Sequence, residues 1–183
     1  IGDAIAGALT SNVSSNGNLY GIANGGGSST AVVNVNNNSM DGFSIVNAGF
    51  IGFINNTATA AVANINNNRF GTATGNLISF SGVQPFNTDV IFNGSFASSS
   101  LSIQNNDIRG MVNSVTSSAT TTFINCSAPS LLSTNISNNT FTNLSINSSG
   151  QVTLISRGSN LVAGSVVTIG NNSIVGNFSK TAA

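Results

Sequence analysis

The chain has no histidine, no glutamate and no tryptophan, and its charge rests on four aspartates, three arginines and one lysine. At 4% charged residues, against about 25% in an ordinary soluble domain, ion pairs are removed as a general stabilising device. Asp3, Asp41, Asp89 and Asp107 balance Arg69, Arg109, Arg157 and Lys180 to a net charge of zero, so no electrostatic footprint for nucleic acid or an anionic membrane is present. Without histidine, a Ser-His-Asp triad is excluded despite the abundant serine. Cys126 is the single cysteine, which excludes an internal disulfide and a thiolate metal site. No apolar run approaches the ~18 residues of a membrane span.

What is present is regular. Hydrophobic residues make up 40% of the 183, enough apolar surface to separate the chain from disordered sequences and a length that suits one domain. Five stretches superpose without a gap: Val35 to Met40, Ile65 to Phe70, Ile103 to Ile108, Ile136 to Phe141 and Ile169 to Ile174. Each reads apolar, any, Asn, Asn, any, apolar. Their starts lie 30, 38, 33 and 33 residues apart, a period that marks stacked repeats. After each of the first four copies comes a short apolar stretch, Phe43-Ser44-Ile45, Leu77 to Phe80, Met111-Val112 or Leu144-Ser145-Ile146. Another stretch precedes the next copy: Phe50 to Ile54, Val90-Ile91-Phe92, Phe123-Ile124 and Val152 to Ile155. These runs are β-branched and aromatic, bounded by Gly, Asn and Ser, which is strand and turn grammar.

Three short strands per period predict a solenoid of three-sided coils. An α-solenoid would need good helix formers where Asn, Ser, Thr and Gly stand. The 38-residue period is accounted for by about five extra residues near Thr72 to Asn76, a cheap loop insertion. A looser copy, Val13-Ser14-Ser15-Asn16 running to Leu19-Tyr20-Gly21, suggests a first coil, for six in all. At ~4.8 Å per rung, five intervals span roughly 24 Å.

The two apolar residues of the motif are five apart, so in an unbroken strand they would face opposite sides. A bend between them returns both to the interior. Asn tolerates the left-handed conformation a bend requires. The second Asn (Asn38, Asn68, Asn106, Asn139, Asn172) is assigned to the corner. The first (Asn37, Asn67, Asn105, Asn138, Asn171) is then expected to point inward and stack as an amide ladder.

The pattern Ile-x-Asn-Asn-x-Ile/Phe-x-Gly/Asn, visible at Ile103 to Gly110, Ile136 to Asn143 and Ile169 to Gly176, resembles that of the right-handed parallel β-helix family. The resemblance covers about residues 13 to 178. It implies an all-β, right-handed parallel β-helix of about six coils with three strands each. The family includes polysaccharide lyases and hydrolases, autotransporter passenger domains, phage tailspikes and surface adhesins, so fold alone does not select an activity.

Enzymes of that family which cleave polysaccharide use clustered carboxylates with Arg or Lys, because glycosidic cleavage needs a proton donor and a paired carboxylate. Here the aspartates are scattered, and Asp41 and Asp107 occupy different slots of the coil, so no shared patch is expected. Asp107 and Arg109, two apart on one strand face, read as a surface ion pair. Calcium would need several carboxylates close together. The expectation is a non-enzyme with no cofactor and no metal. Paired threonines at Thr57 and Thr59, Thr72 and Thr74, and Thr120 and Thr122 fall at different offsets, against an ice-binding array.

Asn-x-Ser/Thr acceptors occur at Asn12, Asn37, Asn55, Asn93, Asn125, Asn135, Asn138, Asn143, Asn147, Asn171 and Asn177. Asn37, Asn138 and Asn171 are discounted as ladder positions. Asn55, Asn93, Asn125 and Asn147 are the candidates for N-glycosylation at strand ends or loops.

Ile1, Ile5 and Leu9 recur at helical spacing, so residues 1 to 12 are a cap helix or, with Ala4, Ile5, Ala8 and Leu9, an extended arm that pairs with a neighbouring subunit. Residues 13 to 183 form the single β-helix domain. The start at Ile1 is that of an exported, processed product or of a trimmed chain. With few charges to guard exposed strand edges, the expected function is a secreted, self-assembling filament or fibre subunit at the cell surface. The alternative is a passenger-type adhesin that binds glycans or cells. Its partner is first of all another copy of itself.

Overall fold

The computed structural model describes residues 9–11, 16–46, 49–71, 78–95, 100–127, 132–158 and 161–182. Strand β1 (Leu9–Ser11) comes first, followed by β2 (Leu19–Asn24), β3 (Val32–Asn34), β4 (Ser39–Met40) and β5 (Phe43–Ile45). The next turn holds β6 (Ile51–Asn56), β7 (Val62–Asn64), β8 (Arg69–Phe70) and β9 (Ile78–Phe80). Then come β10 (Thr88–Asn93), β11 (Ser100–Gln104), β12 (Asp107–Arg109) and β13 (Met111–Ser117). β14 (Thr121–Cys126), β15 (Ser133–Ser137) and β16 (Thr140–Ser148) make the fourth set, and β17 (Val152–Arg157), β18 (Val166–Gly170) and β19 (Ser173–Lys180) the last.

These strands stack into three parallel sheets. The first has the order β17-β14-β10-β6-β2 and the second β18-β15-β11-β7-β3. The third is nine-stranded, β1-β5-β9-β13-β16-β12-β8-β4, with β19 paired to β16. The chain is therefore an all-β parallel solenoid with one strand, or one split strand, per sheet in each coil. It winds about four turns rather than six. Five rungs in the first and second sheets enclose four intervals, roughly 19 Å at ~4.8 Å each. Of the looser motif copy, Val13 to Ser15 lie outside the described residues, and Leu19 and Tyr20 open the first-sheet strand of the first full turn.

Leu9 is aligned with Phe43 in a parallel pair, Ser11 with Ile45. Leu9 thus stands in the third sheet of its own chain rather than in a helix or a free arm. Ala4, Ile5 and Ala8 lie outside the described residues. The register offset grows from 30 residues at Ser39↔Arg69 to 35 at Phe43↔Ile78, so the inserted residues lie between Phe70 and Ile78, the stretch that holds Thr72 to Asn76.

Side chains alternate about the wall, and the inward set fills the bore. Phe53, Phe70, Phe80, Phe123 and Phe141 are all buried, with Met40, Ile51, Ile54, Ile65 and Ile91 among them. Like residues stack: Ile22, Ile54, Ile91, Ile124 and Ile155 share one column, and Ile103, Ile136 and Ile169 another. Phe43 meets Phe53 edge to face at 5.1 Å, and Phe123 meets Phe141 at 5.9 Å, the offset geometry that aromatic rings favour.

Candidate functional site: corners, charges and ends of the stack

The motif's bend lies at the first Asn, not the second. Asn37, Asn67, Asn105, Asn138 and Asn171 have φ between 56° and 61° and stand exposed at the corner between the second and third sheets. The ladder is formed by Asn38, Asn68, Asn106, Asn139 and Asn172. Asn38 Nδ2 donates to Asn68 Oδ1 at 2.9 Å, Asn68 Nδ2 to Asn106 at 3.0 Å, Asn106 Nδ2 to Asn139 at 2.9 Å, and Asn139 Nδ2 to Asn172 at 2.9 Å. Each acceptor oxygen also takes the backbone N–H of the preceding Asn. Each Nδ2 from Asn68 onward places its other hydrogen on the carbonyl of Val35, Ile65, Ile103 or Ile136 one turn back. The central amides Asn68, Asn106 and Asn139 are at most 1% exposed and satisfied, as burial of a polar group demands.

This exchange reverses the reading of the glycosylation acceptors. Asn37, Asn138 and Asn171, discounted as inward, project outward. Asn93, taken as a loop acceptor, is fully buried and accepts from Asn56 Nδ2 at 2.7 Å. Asn55, Asn125 and Asn147 are half-buried. Asn125 donates to Asp89 Oδ2 at 3.0 Å and Asn147 accepts from Thr116 at 3.2 Å.

A second column, Asn24, Asn56, Asn93, Cys126 and Arg157, runs up the end of the first sheet. Its amides pass a hydrogen bond from Asn24 to Asn56 to Asn93, where Cys126 interrupts them and leaves Asn93 Nδ2 buried without a partner. Burial pushes the Cys126 thiol up to about 12, against the nearby Arg157 charge. Such a thiol stays protonated and is a poor nucleophile.

The charges are less scattered than their sequence positions suggest. Arg69 pairs with Asp41 at 3.4 Å, is aligned with Asp107 on the next rung, and donates to Ser39 Oγ at 2.8 Å. Asp107 in turn pairs with Arg109 and accepts from Thr140 at 2.8 Å. Asp41, Arg69, Asp107 and Arg109 thus share the outer face of the third sheet in a neutral chain. The hydrogen bond from Arg109 to Asp107 raises the guanidinium's pKa further. Each carboxylate is partnered by a guanidinium, which suits a register lock better than proton transfer. Among the described residues no three of His, Cys, Asp and Glu come together to hold a metal.

Among the described residues, Asp89 is a strongly perturbed carboxylate. It is 4% exposed on the first sheet, and desolvation lifts its pKa to about 6 against hydrogen bonds from Asn125 and Thr122. Sequence alone does not single it out, since its setting comes from the coil above. The same sheet carries touching rings: Tyr20 lies 6.1 Å from Phe50, and Phe50 lies 6.1 Å from Phe92.

At the last turn the core lies open. Ile169 is 49% exposed, Ile174 51% and Phe178 37%, whereas their register partners one turn earlier, Ile136, Phe141 and Leu144, are at most 2% exposed. Ile169 to Ile174 is the fifth copy of the motif, and among the described residues no further coil lies over its apolar pair. Compared with protein-family models, curated proteins and solved structures, the chain has no significant match.

Proposed function

We propose that the chain is a non-catalytic, extracellular structural protein, a subunit of a self-assembling cell-surface filament or fibre joined through the ends of its stack. The observation that carries this is the last turn, whose core-type residues Ile169, Ile174 and Phe178 stand open on strand edges that carry no charge in β18. Unpaired edges recruit another strand unless charge, proline or a covering segment blocks them. We also propose a right-handed winding, because crossovers between parallel strands take that hand almost without exception. The exposed Asn37, Asn138 and Asn171 corners become the acceptors of choice if the filament is glycosylated. Ion pairing of Asp41 and Asp107 favours a non-catalytic role.

Negative-stain microscopy of the purified chain across a concentration series tests the assembly, with filaments one solenoid wide as the expected result. Isolated rods roughly 20 Å long at every concentration would count against it. Release of product from a polysaccharide panel, lost in Asp107→Asn, would count against the non-catalytic reading.

One observation favours a second reading, a passenger-type domain that binds glycans. The Tyr20, Phe50 and Phe92 rings, with Tyr20 40% exposed, supply apolar faces of the kind sugar rings stack on. A glycan array separates the two: retention on specific glycans that Tyr20→Ala abolishes would select this reading.

A further inference from the structure

We propose that the outer face of the first sheet carries a site for a quaternary ammonium group, held against the Tyr20, Phe50 and Phe92 rings beside the carboxylate of Asp89. This is independent of end-to-end assembly and gives the rings a different ligand from the sugars of the second reading. The bore takes six phenylalanines, yet these three rings stand on the outside. Tyr20, Gly52, Asp89, Thr122 and Thr153 form one column of the first sheet, and Tyr20, 40% exposed, marks it as outward-facing. Gly52 leaves the floor bare: a β-carbon there would lie 3.0 Å from the Phe50 ring and 3.4 Å from that of Tyr20. Both rings therefore lean over the rung next to Asp89, roughly 5 Å away at the spacing of parallel strands. Phe92, on the same strand as Asp89, extends the platform, its ring 6.1 Å from that of Phe50.

The chemistry of the occupant follows from what Asp89 has and what it lacks. Asn125 Nδ2 donates to its Oδ2 at 3.0 Å and the Thr122 hydroxyl donates as well, so its hydrogen bonding is met within the chain. Its charge is not balanced in the same way. Asp41 and Asp107 each pair with a guanidinium, whereas among the described residues no Arg or Lys pairs with Asp89. A buried carboxylate without a countercharge is costly. A sugar hydroxyl would bring a hydrogen bond that Asn125 and Thr122 already supply, and a carboxylate on a residue 4% exposed offers little surface to accept it. A primary ammonium or a guanidinium would need that same direct contact for its own N–H groups. A quaternary ammonium has no N–H to satisfy. It brings a charge that acts across one rung, and its methyl groups pack on ring faces whose negative potential attracts them. On this face the flanking strands β6 and β14 present Gly52, Asn55, Thr122 and Asn125, and β2 adds the Tyr20 phenol. Among the described residues here, Asp89 is thus the group that titrates between pH 4 and 8.

Choline is the probe, and dimethylbutanol, which carries carbon in place of the nitrogen, is the uncharged control. Tyr20 is the single tyrosine in a chain without tryptophan, so intrinsic fluorescence reads the site directly, with calorimetry for variants that lack the ring. At pH 8 choline should shift Tyr20 emission saturably in the millimolar range, with the control about fivefold weaker or more. A cation favours the ionised carboxylate, so affinity should rise with pH through about 6 and be about tenfold lower at pH 4 than at pH 8. Asp89→Asn should weaken choline binding about tenfold at pH 8 and remove its pH dependence. That variant loses a buried charge and should melt no lower than the parent chain at pH 7, so its loss of binding is distinct from loss of fold. Tyr20→Ala should weaken binding about twofold to fivefold. Equal affinity for choline and dimethylbutanol would overturn the inference in favour of a merely apolar patch. Neutral oligosaccharides that shift Tyr20 where choline does not would overturn it in favour of the glycan reading. No saturable choline titration at pH 8, or an Asp89→Asn variant that binds choline like the parent chain, would overturn it outright.

Discussion

Asn106 carries four hydrogen bonds on a side chain 1% exposed, to the Asn68 backbone N–H, Asn68 Nδ2, Asn139 Oδ1 and Ile65 O. Its truncation in Asn106→Ala strands several buried partners, each worth about 1–3 kcal/mol, so chemical denaturation is expected to find a loss of at least 3 kcal/mol by that arithmetic. One residue away, Asn105→Gly replaces an exposed side chain at φ 56°, a conformation glycine adopts freely, and is expected to change stability by less than about 0.5 kcal/mol. The opposite ranking of the two variants would restore the corner assignment expected from sequence. That assignment failed for a physical reason. The motif apolar-x-Asn-Asn-x-apolar reads the same in both directions, and alternation gives contradictory answers from its two ends: Ile103 argues for an inward Asn105, Ile108 for an inward Asn106. The bend and the inward amide were legible, but which Asn takes which role depends on where the extended backbone breaks. It breaks after β11, so Asn106 keeps phase with Ile108. The interrupted column at Cys126 offers a converse experiment. Cys126→Asn supplies an acceptor to the unpartnered Asn93 Nδ2 and should raise stability by about 1 kcal/mol, read as a higher denaturation midpoint. No gain would mean that the site cannot hold the larger side chain.

At the scale of elements, the third sheet is divided by a left-handed residue in every turn. Gly42, Gly71, Gly110 and Gly176 take φ of 77°, 88°, 67° and 72°, and Asn143 takes the same slot at 52°. This turns the chain between β4 and β5, β8 and β9, and β12 and β13, while β16 and β19 continue through it with a register shift. Since the chain itself places Asn in the slot, Gly110→Asn should be tolerated within about 1 kcal/mol. Gly110→Val forces a β-branched residue to positive φ and should cost about 1–2 kcal/mol or more. Equal melting temperatures for the two would show that this bend is not what limits residue choice. The three strands per period were legible from alternation and from turn residues, as was the inserted stretch between Phe70 and Ile78. The number of turns was not, because Leu19 and Tyr20 serve β2 in the first full turn and supply no coil of their own. Nor was the grouping of Asp41, Arg69, Asp107 and Arg109, since stacking brings together residues up to 38 apart whose order in the chain gives no hint of it.

For the whole molecule, the near absence of ionisable groups makes pH a sharp probe. Four aspartates are its acidic side chains, and it has no glutamate or histidine, so few groups titrate between pH 4 and 7. Burial displaces Asp89 from 3.8 to about 6. A carboxyl with a raised pKa in the folded state binds its proton more tightly there than in the unfolded chain. Its contribution is thus fully present below pH ~3.8 and is lost as pH rises through about 6. Stability should therefore fall from pH 4 to pH 7, against the trend of proteins held by depressed carboxylates. A shift of this size corresponds to at most about 3 kcal/mol between pH 4 and pH 7. Asp89→Asn keeps the shape, removes the buried charge and should both raise stability at pH 7 and flatten the profile. Thermal melts of both chains at pH 4, 5.5 and 7 decide the matter. A parent chain more stable at pH 7 than at pH 4, or a variant that retains the slope, would assign the pH dependence to groups other than Asp89. Because the strands of the last turn contain apolar residues and amides but no aspartate, filament length should not follow this profile through that face. A wall that softens while its joints hold would place proton sensitivity in the first sheet and assembly at the ends.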